Sequence, residues 1–146
     1  MTVLMELGRG EVTVVRVHVK EMKPNEWAGS CGDVQILVKG AGETSEAGVV
    51  AGSFDLWMLS LAFAVAESIR AYVTEKAWNL ESLHVDAVDE RSGEGKLLYI
   101  TFLIHADGLH QGERDELFGA VRNRCTLLRL INKEIEIYFS DQLAKG

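Results

Sequence analysis

The chain has 146 residues, of which 47% are hydrophobic and 25% charged, and its formal net charge is −7. This length suits one domain, and we expect residues 1–146 to form a single one. The acidic balance argues against a nucleic-acid partner, because such binding rests on clusters of Lys and Arg that this sequence lacks. The opening MTVLMELGRGEV has no basic segment followed by a long apolar run, so we expect no signal peptide and a cytoplasmic location.

The first third of the chain is predicted to hold two strands separated by loops. The segment EVTVVRVHVK, residues 11–20, alternates valines with polar residues, which is typical of a strand with one wet face. Residues 21–32 contain Pro24, Asn25 and two glycines and predict a turn or loop. The segment DVQILVKG, residues 33–40, predicts a second strand that pairs with the first as a hairpin. The glycine-rich residues 40–52 predict a mobile loop, or a loop with a short strand at GVV.

The segment SFDLWMLSLAFAVAESIRAY begins a predicted helix that runs from Ser53, as its N-cap, to about Lys76. A membrane-spanning helix needs about 20 predominantly apolar residues. The uninterrupted apolar part is shorter than that, and charged residues follow it at once, so we expect a core helix and no membrane partner. Its first half is apolar on all sides and is expected to be enclosed by sheet or by another subunit. Its second half is amphipathic.

The rest of the chain predicts a strand hairpin, a helix and a closing strand. LESLHVDAVDE and LLYITFLIHAD form the hairpin, and the second of these is apolar on both faces and therefore expected at the centre of its sheet. QGERDELFGAVRNRC has helical spacing, TLLRLIN continues as a short helix or turn, and residues 133–140 close the chain as a strand. The order β-β-(β)-α-β-β-α-β indicates an α+β fold, with helices on one face of a mainly antiparallel sheet.

Common site motifs are missing from the sequence. The glycine-rich loop matches neither GxxxxGK[ST] nor GxGxxG, so it predicts no phosphate site. No GxSxG is present, and Ser60 has no identifiable base. The histidines occur without HExxH or CxxC, so we expect no metal site and no cofactor. They are His18, His84, His105 and His110.

Cys125 is the best single candidate for chemistry. It falls between a helix that ends in Arg122 and Arg124 and a predicted new helical turn, where its thiolate would be favoured. Cys125 is also in helical phase with Phe118 and Val121, which indicates core packing instead. Local sequence favours packing, and both interpretations remain open at this point.

The layout over roughly residues 49–139 resembles the OsmC/Ohr family, the osmotically inducible protein C and organic hydroperoxide resistance proteins. The shared features are a long central helix after a small glycine-containing loop, a strand hairpin, a helix leading to a cysteine, and a closing strand. Cys125, followed by IEI at 135–137, matches the family's cysteine ahead of an I-x-V-like strand. The resemblance implies an OsmC/Ohr-like α+β fold and an intertwined homodimer with its site at the subunit interface.

The resemblance also implies thiol-dependent peroxidase chemistry with two cysteines. Cys125 corresponds to the second, resolving cysteine, while the first, peroxidatic position falls at Ala64, give or take a residue. The helix start SFD replaces an Asn-Pro-Glu-like start, and Thr126 stands where the family has proline. Arg16 is the one guess for the family's assisting arginine, and the assisting glutamate has no counterpart that we can place.

The resulting hypothesis is a dimeric, cytoplasmic OsmC/Ohr-like protein, related to peroxidases that act on organic hydroperoxides in the oxidative stress response, with an incomplete two-cysteine site. A sulfenic acid is resolved within a chain when a second thiol condenses with it to form a disulfide, and a single thiol cannot perform both roles. Cys125 is the only candidate catalytic residue. Cys31 could replace the missing partner thiol only if it lay near Cys125, and nothing in the sequence indicates that it does. The alternative is a non-catalytic dimeric module that binds a small hydrophobic ligand at its interface pocket.

Overall fold

A computed structural model of the chain describes residues 2–6, 11–39, 49–50 and 52–141. In these ranges it contains nine strands and three helices, which gives the α+β class expected from the sequence. The chain divides into two compact units, residues 1–57 and residues 58–146. The single-domain assignment of residues 1–146 stays a prediction.

The first unit is built from short strands in two sheets. One sheet pairs β1 (Thr2–Glu6) with β2 (Glu11–Val15) in antiparallel orientation. The other has the order β3-β4-β5-β6, formed by Val17–Lys23, Glu26–Cys31, Val34–Lys39 and Val49–Val50. Strand β6 runs parallel to β5 and corresponds to the short strand that the sequence suggested at GVV. Residues 40–48 of the predicted loop lie outside the described residues.

The predicted pairing of the first two strands is wrong, because β4 lies between them. Residues 21–32 were expected to be a single turn or loop, but they hold the end of β3 and two tight turns with β4 between them. Asn25 takes the first turn with φ 66° and Gly32 the second with φ 59°, so each turn closes its own hairpin. Cys31 therefore ends strand β4 opposite Val17, rather than lying in a loop. The predicted strand 11–20 is also divided at Arg16 into β2 and β3.

Helix α1 spans Ser53–Lys76, in agreement with the predicted ends. The N-cap differs by one residue, because Ser53 is already helical and the Gly52 carbonyl accepts the first intrahelical bond, from the Leu56 N–H at 3.2 Å. In the second unit one face of α1 is buried, with Leu61, Val65 and Ile69 exposed by 2% or less.

By length and composition α1 is a helix that could also cross a membrane. Its buried stripe nevertheless follows helical spacing through Leu61, Val65, Ile69 and Val73, and this stripe forms part of the core of the second unit. Lys76 and Glu75 near its end are exposed and paired with residues of another helix. These contacts agree with the interpretation of α1 as a core helix.

The second unit contains one three-stranded sheet in the order β7-β8-β9, formed by Ser82–Arg91, Leu97–Asp107 and Glu136–Ser140. Strand β8 is central, as predicted, and pairs antiparallel with β7 and parallel with β9. Alternate side chains of β8 point to the core, and Ile100, Phe102 and Ile104 have no exposed surface. The closing strand begins three residues later than the predicted Lys133.

Two further helices complete the second unit. Helix α2 spans Gln111–Arg124, and its first turn is capped by the Glu113 carboxylate, which accepts the His110 N–H at 2.9 Å. Leu117 and Val121 are buried on one face of α2, as their spacing predicted. The half-buried Phe118 ring stacks on Phe139 of β9 with centroids 6.0 Å apart. The short helix α3 spans Thr126–Arg129, where a helix or turn was expected.

Candidate functional site

Cys125 lies at the junction of α2 and α3, where the sequence placed it. Its N–H donates to the Val121 carbonyl at 2.9 Å, and its own carbonyl accepts the Arg129 N–H at 3.2 Å. Its φ of −69° and ψ of 111° are not helical, so the chain changes direction at this residue. The residue is 2% exposed and belongs to the core with Leu117 and Val121. This burial agrees with the packing interpretation, because buried structural thiols are shielded from reagents.

The two arginines that precede Cys125 are directed toward other partners. Arg122 donates to the Ile137 carbonyl at 2.7 Å, and its guanidinium lies 4.9 Å from the Phe139 ring. Arg124 donates to Glu75 at 2.8 Å and lies over the Tyr72 ring at 4.8 Å. Their charge therefore ties α2 to β9 and to α1, and these contacts give no direct support to the idea of an arginine-favoured thiolate.

Ala64 and its neighbours on α1 differ sharply in exposure. Phe63 is 60% exposed, Ala64 is half-buried and Val65 is completely buried. None of these three side chains can be a nucleophile, whichever of them corresponds to the first cysteine that the resemblance predicts here. Small residues at four-residue spacing, Ser60, Ala64 and Ser68, run beside the buried stripe, with Ser60 exposed and the other two half-buried. If the register of the resemblance is right, we expect Ala64 to face Cys125.

A polar network that local sequence did not indicate joins α1 to α2. The Tyr72 hydroxyl donates to Glu116 at 2.5 Å, and the Lys76 ammonium lies 3.6 Å from the same carboxylate. The Tyr72 hydrogen bond, followed by the charge of Lys76, lowers the pKa of Glu116 below 4.5, although desolvation opposes this. The same hydrogen bond and desolvation raise the pKa of Tyr72 above 10.0. At neutral pH the pair is therefore a phenol bound to a carboxylate.

Two further residues considered from the sequence, Arg16 and Cys31, lie in the first unit. Arg16 is exposed between β2 and β3, and Cys31 is exposed at the end of β4. Both described cysteines are free thiols. The proposed role of Arg16 as an assisting arginine stays a prediction.

The register of β7 and β8 brings together two of the four histidines. His84 lies directly opposite His105, with ring centroids 5.9 Å apart, and Asp86 lies 3.7 Å from His105 Nε2. Alternation placed each histidine on a strand, but the pairing of one with the other depends on a register that local sequence does not specify. His18 is on β3 and His110 precedes α2. In the part of the chain that is described, no group of three or more His, Cys, Asp or Glu could hold a metal ion.

Several solved structures share this fold. An OsmC-like protein from Mycoplasma pneumoniae superposes with a TM-score of 0.71 at 16% identity, covering 87% of this chain and 94% of that one. An organic hydroperoxide resistance protein, OsmC, from Legionella pneumophila gives 0.67 at 15% identity, covering 87% and 95%. The organic hydroperoxide resistance protein OhrB of Bacillus subtilis gives 0.62 at 9% identity, covering 87% and 96%. Neither a family model nor a curated protein matches the sequence.

Proposed function

We propose that this chain, which has the OsmC/Ohr fold, is a homodimeric cytoplasmic protein of organic hydroperoxide defence in which the two-cysteine site is reduced to Cys125. The fold itself is shown by solved structures that align along most of both chains, among them two organic hydroperoxide resistance proteins. At identities of 15% and 9% these structures speak for the fold alone, so the activity is our proposal.

The observation that carries the proposal is the position of Cys125. A thiol stands at the junction between α2 and α3, ahead of the closing strand β9, as in the pattern by which the sequence resembles the family. The corresponding stretch of α1, around Ala64, has no thiol. An organic hydroperoxide could oxidise Cys125 to a sulfenic acid and leave as an alcohol. Reduction of that sulfenic acid would then require an external thiol.

The burial of Cys125 limits the rate of this reaction. A thiol that is 2% exposed meets a peroxide only when the surrounding packing opens, so turnover is expected to be slow. An apolar organic hydroperoxide is a more suitable substrate than hydrogen peroxide, because Cys125 belongs to the apolar core that also contains Leu117, Val121 and Leu128.

The second candidate function, a non-catalytic module for a small hydrophobic ligand, is favoured by the exposed side of α1. Leu59 is 48% exposed and Phe63 60%, one helical turn apart. A dimer interface that covers these side chains would form an apolar site without any reactive group at Ala64. The burial of Cys125 favours this candidate as well.

Peroxide consumption separates the two candidates. Wild-type protein, Cys125→Ser and the matched control Cys31→Ser are compared with an organic hydroperoxide and an excess of dithiol reductant. The peroxidase proposal predicts slow consumption by the wild type and by Cys31→Ser, and loss of consumption in Cys125→Ser. Equal rates of peroxide consumption in the wild type and Cys125→Ser would exclude the peroxidase proposal and leave the non-catalytic binding module.

A further inference from the structure

The outward face of the sheet in the second unit holds a group of polar side chains outside the region of Cys125. The side chains of β8 that alternate with the buried Ile104 and Ala106 point to this face, and so do their partners on β7. At one end of the face the strands present three directly opposed pairs, which are Ser82 with Asp107, His84 with His105, and Asp86 with Leu103.

The two histidines of this face are close to chelating geometry. Their ring centroids are 5.9 Å apart and their planes are inclined by 72°. Two imidazole nitrogens at about 2.0–2.1 Å from one zinc ion place the ring centroids about 5 Å apart, so an approach of about 1 Å is enough. His84 is exposed and the His105 side chain is 29% exposed, so side-chain rotation can supply this movement and a cation can enter from solvent.

Carboxylates flank the histidine pair on both sides along the strands. The Asp86 Oδ2 atom lies 3.7 Å from His105 Nε2. On the other side, Asp107 accepts a hydrogen bond from the Ser82 hydroxyl at 2.7 Å. A carboxylate beside a ligating imidazole fixes the ring and increases its basicity, and two carboxylates favour a cation between them electrostatically.

We propose that His84 and His105 bind one borderline divalent cation, of the Zn²⁺ or Ni²⁺ kind, with water in the remaining coordination positions. Asp86 positions the His105 ring and contributes charge. Imidazole is a preferred ligand for these ions, whereas carboxylate and water alone suit magnesium and calcium. No larger His, Cys, Asp or Glu group qualifies within the described ranges, so the site is an open, two-imidazole site that stabilises the β7–β8 hairpin rather than a closed structural centre.

Calorimetric titration with Ni²⁺ tests the proposal. The full chain carries Cys31→Ser, because an exposed thiol is a competing ligand. We expect one Ni²⁺ per chain and a loss of affinity of about tenfold or more in His84→Gln and in His105→Gln, with a smaller loss in Asp86→Asn. His110→Gln is the matched control, because the His110 side chain is 88% exposed at the start of α2, and its affinity should equal that of the parent.

A second measurement requires no histidine variant. Sub-stoichiometric Ni²⁺, which is paramagnetic, should broaden the imidazole NMR signals of His84 and His105 in the Cys31→Ser chain before those of His18 and His110. Equal Ni²⁺ affinity in the parent and in both histidine variants would overturn the proposal. Binding that disappears with Cys31→Ser alone, or uniform broadening of all four histidines, would overturn it as well.

Discussion

The Tyr72 hydroxyl donates a 2.5 Å hydrogen bond to Glu116, and this bond joins α1 to α2 across 44 residues of sequence. Lys76 lies 3.6 Å from the same carboxylate, and Arg124 lies over the Tyr72 ring. Arg124 directly precedes Cys125, so the network holds the end of α2 at which the candidate thiol lies. The position of Cys125 therefore depends on contacts between two helices as well as on its own burial.

This network predicts a pH-dependent loss of stability. The folded-state pKa of Glu116 is below its ordinary value of 4.5, so its contribution is present above that value and is lost as the pH falls through the folded pKa. Tyr72→Phe removes the first cause of the shift. Urea unfolding should show Tyr72→Phe less stable than wild type at pH 7, with a difference that shrinks below pH 4.5. A difference that is constant from pH 7 to pH 3 would contradict the assignment.

The two sides of α1 should respond differently to truncation. Leu61 is 2% exposed, and Leu61→Ala should lower the free energy of unfolding by about 2–5 kcal/mol because it leaves a cavity. Leu59 is 48% exposed and provides the control. Leu59→Ala should cost clearly less in chemical denaturation at low protein concentration. Equal costs would show that the buried face of α1 is assigned wrongly.

The exposed apolar side of α1 predicts a homodimer. Phe63 is 60% exposed and lies one turn from Leu59, a surface that a second subunit would cover. Light scattering at micromolar concentration should give the mass of a dimer, and Phe63→Ser should shift the equilibrium toward monomer while the circular dichroism spectrum is preserved. A monomer mass for the wild type would rule out the proposed dimer.

The two thiols should differ in reactivity and should not pair with each other. Cys31 is exposed at a strand end, whereas Cys125 is 2% exposed. Thiol titration of the native protein should modify Cys31 first and Cys125 much more slowly, and denaturant should remove that difference in rate. Under mild oxidant, intact mass should show no internal disulfide, which needs Cα atoms within about 7 Å. A monomeric species that has lost two hydrogens and has no free thiol would contradict this prediction.

Local patterns predicted helices and the core better than strand pairing. The ends of α1 follow from one long apolar run with Lys76 in its last turn, and the burial of Cys125 follows from its helical phase with Val121. Strand β4 was missed because the turns at Asn25 and Gly32 are so close that the segment resembles one loop. Composition alone does not distinguish one long loop from two tight turns.

Contacts between residues that are far apart in the chain could not be predicted from the sequence. The pairing of His84 with His105 needs the register of β7 and β8, and the contact of Arg124 with Glu75 joins residues 49 positions apart. In the sequence, Arg122 and Arg124 stand beside Cys125 and therefore indicated an activated thiol, because their partners lie on distant segments. Their true partners, a strand carbonyl and a helix carboxylate, become visible only when the elements pack.

The central claim is that Ala64 stands where a two-cysteine site would have its first thiol, opposite Cys125. Ala64→Cys tests it most directly, with Phe63→Cys as a matched control, because Phe63 is on the exposed side of α1. The substitution at Ala64 should be tolerated, since cysteine is small and behaves as a modest hydrophobe. After treatment with organic hydroperoxide, peptide mass spectrometry should find a disulfide between the introduced thiol and Cys125 in Ala64→Cys, and no corresponding bond in Phe63→Cys. A folded Ala64→Cys protein in which the introduced thiol and the Cys125 thiol both remain free under peroxide would contradict the account.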